Sequence, residues 1–336
     1  APLTTLPTSL WQPPAGALPG SGNYVYLESD FGDPMGQGNT RMYTPADSRI
    51  GASGSAELNP GILRGFGIGL YSGSDSWSGR FVMPTSLRRW EPGLYGNLRG
   101  DTLVPVQTGA IEWSGQSFTC VRDQGGWYAI DSVSYDGDRL TSVELRFERH
   151  CDTFNGTLRG KVRWSESDTS GPPGPASAPA HLWSPPPGAL PSSGNYLYLE
   201  SSYGDNLGLG KTVLHTTGNS DISGFGNPGT LSFTVSIPSS IPTVTWRLEF
   251  VAMRGVAEIQ PGHYANVLRY PSIDDSRAAM SVLANGSFCN SLSGWYVVDS
   301  VAYTNGVLST IELRFEQHCE RRSAPLRGKL RWSASS

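Results

Sequence analysis

Two stretches of the chain alternate apolar and polar residues, which is the period of a strand with one buried face. In 143–151 one face carries Val143, Leu145, Phe147 and Cys151. The other face carries Glu144, Arg146, Glu148 and His150. Residues 158–164 alternate in the same way, with Arg159, Lys161 and Arg163 on the polar face. Both stretches are predicted to be strands of an antiparallel sheet that covers a core.

The junctions between alternating runs carry turn signals. Asp136-Gly137 and Asn305-Gly306 each lie between two such runs, and these dipeptides favour the tight turn of a β-hairpin. No stretch of about 10–12 residues shows the periodicity of an amphipathic helix. The pattern therefore predicts an all-β protein.

A long internal repeat relates the two halves of the chain. Residues 11–38 match residues 183–210 at an offset of 172, and both copies contain the sequence GNYxYLES. Residues 126–151 match residues 294–319 at an offset of 168, and both copies contain ELRFExHC. Repeats of this length predict two copies of one domain.

The repeat places the two domains at 10–165 and 182–334. Residues 166–181 are rich in Ser, Pro and Gly, which is typical of a linker that its prolines partly extend. Residues 1–9 resemble this linker and are predicted to form an extended N-terminal arm. Each domain of about 150 residues can bury a core. We predict two tandem homologous antiparallel β-sandwich domains of jelly-roll or immunoglobulin-like type, with a flattened barrel as the alternative.

Four cysteines follow the same repeat. They are Cys120, Cys151, Cys289 and Cys319. Four cysteines allow three disulfide connectivities, and the repeat favours Cys120–Cys151 with Cys289–Cys319. Metal binding is the weaker alternative, because the spacing of zinc ligands is absent from the sequence.

The second copy resembles a widespread group of secreted bacterial domains that carry a signature of the form GCN…FEQHCEG…LxGxxR. The corresponding residues here are Cys289-Asn290, Phe315-Glu316-Gln317-His318-Cys319-Glu320 and Leu326-Arg327-Gly328. The first copy departs from it, with Arg149 in place of Gln and Asp152 in place of Glu. The resemblance implies secretion, a β fold and frequent repetition of the domain. It implies no established activity.

Composition and charge exclude several classes. The 336 residues include 25 basic and 29 acidic side chains, a net charge of −4, whereas a nucleic-acid-binding protein needs a basic surface. No apolar run approaches the roughly 18 residues of a membrane span. The motifs of common hydrolases, nucleotide-binding loops and metalloproteases are absent from the sequence. We predict neither a cofactor nor a bound metal.

The compartment is predicted from the first residue and the cysteines. The sequence begins at Ala1 and not at Met, as a mature chain would after removal of a signal peptide. We expect a secreted protein, located outside the cell or on its surface. A recombinant fragment is the alternative.

A Glu–His pair is the best catalytic candidate, and it occurs twice, as Glu148/His150 and Glu316/His318. Both side chains of a pair lie on one strand face, where they could exchange protons with a substrate. The structural interpretation is favoured, because the neighbouring strand offers Arg159 and Lys161 as ion-pair partners. We predict that the protein is not an enzyme.

Two acidic, glycine-containing loops, 28–33 and 200–205, offer oxygen atoms of the kind that calcium binds. Their spacing differs from that of an EF-hand, and Asp30 is replaced by Ser202 in the second copy. An ordinary hairpin turn is the favoured interpretation.

Two tryptophans lack a counterpart in the other copy. Most of the ten tryptophans recur in both copies, but Trp90 and Trp113 occur in the first copy alone. Tryptophans that fill a core common to both copies would be expected at equivalent positions in both. These two residues are therefore the candidates for a surface contact with a glycan or another subunit, and an ordinary position in the core is the alternative for each.

The favoured function is that of a self-assembling structural subunit of an extracellular filament, sheath or matrix. An extended arm can add a strand to the sheet edge of a neighbouring chain, and a contact that does not close produces a filament. One alternative is a secreted adhesin whose tandem domains bind a polysaccharide or a surface. The other alternative is a hydrolase with an unrecognised site.

Overall fold

The computed structural model describes residues 2–55, 65–73, 75–98, 107–115, 118–120, 123–151, 155–227, 229–238 and 244–334. These residues form strands, turns and irregular segments, so the described part of the chain is all-β. Among them there is no helix that has the length and apolar character to cross a membrane. The chain divides into two compact units, Ala1–Gly171 (unit 1) and Pro172–Ser336 (unit 2).

The strands of unit 1 belong to one sheet. Their bounds are β1 (Tyr24–Ser29), β2 (Thr40–Tyr43), β3 (Arg49–Ser55), β4 (Gly65–Ser72), β5 (Asp75–Val82), β6 (Gly93–Tyr95), β7 (Ala110–Gly115), β8 (Phe118–Thr119), β9 (Asp123–Asp136), β10 (Arg139–Cys151) and β11 (Thr157–Ser165). The order is β2-β1-β11-β10-β3-β4-β5-β7-β8. In addition, β9 pairs with β10, and β6 pairs with β9.

The strands of unit 2 belong to two sheets. Their bounds are β12 (Tyr196–Ser201), β13 (Thr212–Thr216), β14 (Asp221–Asn227), β15 (Thr230–Ile237), β16 (Val244–Val251), β17 (Gly262–Tyr264), β18 (Leu268–Arg269), β19 (Ala279–Ala284), β20 (Leu292–Thr304), β21 (Val307–Cys319) and β22 (Pro325–Ser333). One sheet has the order β13-β12-β22-β21-β20-β17. The other has the order β14-β15-β16-β19-β18.

The sequence periodicity is reproduced in the strands. The predicted stretches 143–151 and 158–164 lie in β10 and β11, which are antiparallel neighbours. Asn305 and Gly306 have φ angles of 53° and 75° between β20 and β21, as a tight hairpin turn of type I′ requires. The all-β prediction is therefore confirmed for the described residues.

Each unit encloses its own aromatic core. In unit 1 the ring of Phe81 lies 5.6 Å from that of Phe147. In unit 2, Phe250 from one sheet lies 5.8 Å from Phe315 of the other. All four rings are fully buried. In each unit, strands that are distant in sequence therefore contribute to one core.

The disulfides close equivalent positions of the two units. The bonds are Cys120–Cys151 and Cys289–Cys319, with sequence separations of 31 and 30. This is the pairing that the repeat indicates. Each bond ties the last residue of a long strand, β10 or β21, to a loop.

Candidate functional site

Trp90 and Trp113 lie in the core of unit 1. Their exposed fractions are 3% and 1%. Trp90 packs edge-on against Phe66 at 6.2 Å, and Trp113 lies 4.8 Å from Phe147. The prediction that these two residues are on the surface is wrong.

At Trp113 the asymmetry between the copies involves a pair of core residues. Trp113 faces Gly79 across β5 and β7, and a Cβ atom on Gly79 would lie 1.9 Å from the indole. The equivalent pair in unit 2 is Leu248 and Val282, which are also directly opposite each other. A large residue beside glycine has replaced two aliphatic residues, so the core volume is maintained without any surface role.

The Glu–His pair of unit 2 is held in an ion-pair cluster. The Glu316 carboxylate accepts hydrogen bonds from Arg327 Nε at 2.6 Å and from His318 Nε2 at 3.1 Å. The other ring nitrogen of His318 lies 3.2 Å from the carbonyl oxygen of Arg322. Burial alone would raise the pKa of Glu316, but these two donors outweigh it and lower the pKa. Both oxygens of the carboxylate already have partners within the protein.

Unit 1 repeats this cluster. Glu148 lies 3.4 Å from His150 Nε2 and 3.0 Å from Arg159 Nε. The same guanidinium pairs with Asp30 at 2.7 Å, and its hydrogen bond lowers the pKa of the Asp30 carboxyl. The predicted pairing across the ladder is confirmed.

The carboxylates of the two acidic loops, for which calcium binding is the less favoured interpretation, already have protein partners. Asp33 accepts a hydrogen bond from the amide of Gly36 at 2.5 Å, and burial raises its pKa. Asp205 accepts the equivalent bond from Gly208 at 2.7 Å. Within the described ranges there is no group of three or more potential metal-ligating side chains.

An open depression in unit 2, about 350 Å³ in volume, is lined by Asn195, Glu312, Arg331 and their neighbours. Glu312 and Arg331 pair with each other at 3.1 Å. Its charged groups therefore satisfy one another.

The proline-containing arms make a feature that the two units share. In unit 1, Leu3 forms two backbone hydrogen bonds with Leu94 of β6, of 3.1 and 2.9 Å. In unit 2, Ala176 forms two with His263 of β17, of 3.1 and 2.7 Å. We call residues 2–9 and 172–181 the arms, and β6 and β17 the arm-binding strands. The segment 166–181, predicted as a linker, thus includes the whole arm of unit 2.

Glycine allows the close approach of each arm. A Cβ atom on Gly93 would lie 2.9 Å from a Pro2 side-chain carbon and from the Leu3 carbonyl oxygen. A Cβ atom on Gly262 would lie 2.9 Å from Pro175 and 3.0 Å from the Ala176 carbonyl oxygen. The two units therefore bind a Pro-X dipeptide in the same way, although X is Leu in one and Ala in the other.

The end of each arm is anchored to the sheet by a tryptophan. Trp11 Nε1 donates to Glu28 at 3.2 Å, and its carbonyl accepts from Arg146 Nη1 at 3.1 Å. Trp183 does the same with Glu200 at 3.2 Å and Arg314 at 2.8 Å. The seven residues between Leu3 and Trp11 thus lie between the Trp11 anchor and the two backbone hydrogen bonds of Leu3.

A further pair of residues, Phe31 and Tyr203, was missed in the sequence. They occupy equivalent positions of the repeat and are almost completely exposed. The available signal was an aromatic residue inside a turn of Gly, Asp and Ser, where no strand face exists to bury it.

No protein-family model, curated protein or solved structure matches this chain.

Proposed function

We propose that this chain is a secreted, non-enzymatic structural protein whose copies assemble by exchanging their proline-containing arms. In this proposal each unit is a β-sandwich domain, and the assembly is an extracellular filament, sheath or matrix. The observation that carries the proposal is the backbone pairing of Leu3 with the arm-binding strand β6, which Ala176 and β17 repeat.

The contact between an arm and its strand suits exchange between chains because backbone atoms form its hydrogen bonds. Two backbone hydrogen bonds contribute about 1 kcal/mol each to stability, so an arm can leave its strand at small cost. A second chain can offer the same Pro-X dipeptide and restore the same bonds. Exchange of an identical element between copies is a low-cost route to association.

The length of the arm allows contact between chains. The segment contains a turn, in which Leu10 N donates to the Pro7 carbonyl oxygen at 3.2 Å. With this turn opened, the eight residue steps from Leu3 to Trp11 would span roughly 25 Å of extended chain. Leu3 keeps 63% of its side chain exposed while its backbone is paired. If the arm of one chain binds the unit 2 strand of the next, the contact is heterologous, and it produces an open filament where the rotation between copies does not close into a ring.

Two further observations support the proposal. Both disulfides suit an oxidising compartment outside the cytoplasm. The Glu–His pairs, the best catalytic candidates, are held by arginine in both units, which favours a structural role for them.

Electron microscopy of the untagged protein tests assembly. We expect regular filaments or sheets from the full chain, and dispersed particles of unchanged circular dichroism after deletion of residues 1–9. Dispersed monomers of the full chain at every concentration would overturn the structural role. Polymers of the deleted chain would overturn the arm mechanism.

Cysteine cross-linking tests exchange directly. One preparation carries Leu3→Cys and the other carries Leu94→Cys, and they are mixed before oxidation. Paired residues of antiparallel strands lie within disulfide range, so exchange should yield a covalent dimer on a non-reducing gel. The matched control pairs Leu3→Cys with Tyr71→Cys on the β4–β5 hairpin. Equal yields in both mixtures would contradict specific exchange.

A further inference from the structure

The loop after the first strand of each unit carries an aromatic ring without a partner. Phe31 is 97% exposed and Tyr203 is 98% exposed, and they are related by the repeat offset of 172. Within the described part of the chain, neither ring has a hydrogen bond or a ring contact. Both copies have a ring here although neighbouring positions differ, since Asp30 corresponds to Ser202 and Gln37 to Leu209.

The loops that hold these rings are tightly hydrogen-bonded. In unit 1 the amide of Gly38 donates to Ser29 Oγ at 2.9 Å. In unit 2 the amide of Gly210 donates to Ser201 Oγ at 3.0 Å, and the same hydroxyl donates to Asp205 at 2.8 Å. The exposed rings are therefore presented on an ordered scaffold, which lowers the entropic cost of binding.

The two positions share an aromatic ring but not a hydroxyl group. Phenylalanine occupies one position and tyrosine the other, so a hydrogen bond from the phenol is dispensable. A bare aromatic face carries partial negative charge and attracts polarised C–H groups. The flat face of a pyranose ring with equatorial substituents is a ligand of this kind, because its C–H groups all point to the faces.

The size of the exposed apolar area argues against a protein partner. A stable protein interface needs about 800 Å² on each side, whereas one aromatic side chain supplies roughly 150–250 Å². The other large exposed apolar residues of unit 1, among those described, are Leu3 on the arm and Tyr71 on the β4–β5 hairpin. Phe31 is thus a small, separate contact surface, which fits one sugar ring. In unit 2 the loop of Tyr203 also exposes Leu209, at 65%, and the two side chains together still supply far less than about 800 Å².

We infer that Phe31 and Tyr203 are stacking platforms for a flat-faced polysaccharide of the cellulose and chitin type. Each unit contributes one platform, and a repeating polymer offers many equivalent rings. Two weak contacts in one chain then act together through their high effective concentration. This inference concerns a surface separate from the arms and does not depend on exchange of the arms.

Depletion binding to microcrystalline cellulose and to chitin powder tests the inference. We expect the full chain to bind at least one of the two polymers. Phe31→Ala and Tyr203→Ala should each weaken binding by about tenfold, since one aromatic contact contributes on that order, and the double variant should no longer be retained. Tyr203→Phe should bind as the natural chain does.

Two controls separate ring stacking from other effects. Tyr71→Ala removes an exposed aromatic ring elsewhere on unit 1, and Leu209→Gln copies Gln37 at the tip of unit 2. Both should leave binding unchanged. Failure of the natural chain to bind either polymer, or full binding by the double alanine variant, would overturn the inference. Electron microscopy of the double alanine variant should show the same assembly as the natural chain. A loss of polysaccharide binding can therefore be distinguished from a loss of assembly.

Discussion

At the scale of single residues, the two units place different side chains at one equivalent buried position. Tyr43 of unit 1 accepts a hydrogen bond from Trp77 Nε1 at 2.8 Å. The equivalent residue of unit 2 is His215, which is buried, with its Nδ1 atom 3.3 Å from Ser220 Oγ. Its Nε2 atom is buried and has no hydrogen-bond partner among the residues that the structure describes. Unit 2 thus places a titratable ring where unit 1 has a neutral phenol.

This difference predicts a pH-dependent stability of unit 2. Burial lowers the pKa of His215 below its ordinary value of 6.5, so the unfolded state binds more protons than the folded state. The contribution to stability is complete above about pH 6.5 and is lost as the pH falls through that value towards the folded pKa. We expect the Tm of residues 172–334 to fall between pH 7.5 and about 5.5.

The matched variant is His215→Tyr, which copies unit 1. It should reduce the loss of Tm over this pH window, and the part that remains is assigned to His263, whose pKa is also lowered, chiefly by burial. An identical pH profile for the two proteins would rule out His215 as the responsible group.

At the scale of elements, equivalent strands keep one register and differ in how they fill the core. Tyr24 pairs with Arg163 in β1–β11, and Tyr196 pairs with Arg331 in β12–β22. Across β5–β7, however, Gly79 and Trp113 replace the Leu248 and Val282 pair of β16–β19. The strand pairing is therefore preserved between the two units, whereas both residues of this cross-strand pair differ.

The Gly79–Trp113 pair predicts a coupled mutational effect. Gly79→Ala places a methyl group inside the volume of the indole, and overpacking of this kind costs about 1–3 kcal/mol. Trp113→Val alone leaves a cavity and should cost about 3–5 kcal/mol. Gly79→Leu alone should cost at least as much as Gly79→Ala, and the double variant Gly79→Leu with Trp113→Val, which copies unit 2, should lose less than the sum of its two single variants. Urea unfolding of all variants measures this, and simple additivity would contradict the pairing.

At the scale of the whole molecule, the chain consists of two units that each have a core, a disulfide and an arm. The arm of unit 2 lies before Trp183, in the region whose composition predicts a linker. Its backbone bonds to His263 make it part of unit 2. The boundary between the compact units lies between Gly171 and Pro172.

Two fragments of unit 2 test the contribution of the arm. Residues 172–334 retain Ala176, whereas residues 182–334 lack it but keep the Trp183 anchor. We expect both fragments to fold, with the longer one more stable by about 1–3 kcal/mol, from two hydrogen bonds and the packing of Pro175 on Gly262. Thermal unfolding measured by circular dichroism should show the difference as a higher Tm. Equal Tm values would show that the arm contributes nothing.

The sequence by itself determined the strand stretches 143–151 and 158–164, the hairpin turn at Asn305-Gly306, the internal duplication and the ion pairs between β10 and β11. These features arise from local periodicity, from the turn preference of Asn-Gly, and from the opposite charges that Glu148 and Arg159 bring to one face. The disulfide pairing followed from the repeat. Each depends on neighbours in sequence or on comparison of the two copies, both of which are visible in the chain.

Only the tertiary structure decided which aromatic residues are buried and where the arms bind. Trp113 is buried because Gly79, on another strand, lacks a Cβ atom, and Phe31 is exposed because its turn has no neighbouring face. The arms bind through backbone atoms, which every residue except proline offers, so no side-chain pattern marks the contact. These outcomes depend on atoms that are distant in sequence and adjacent in the fold.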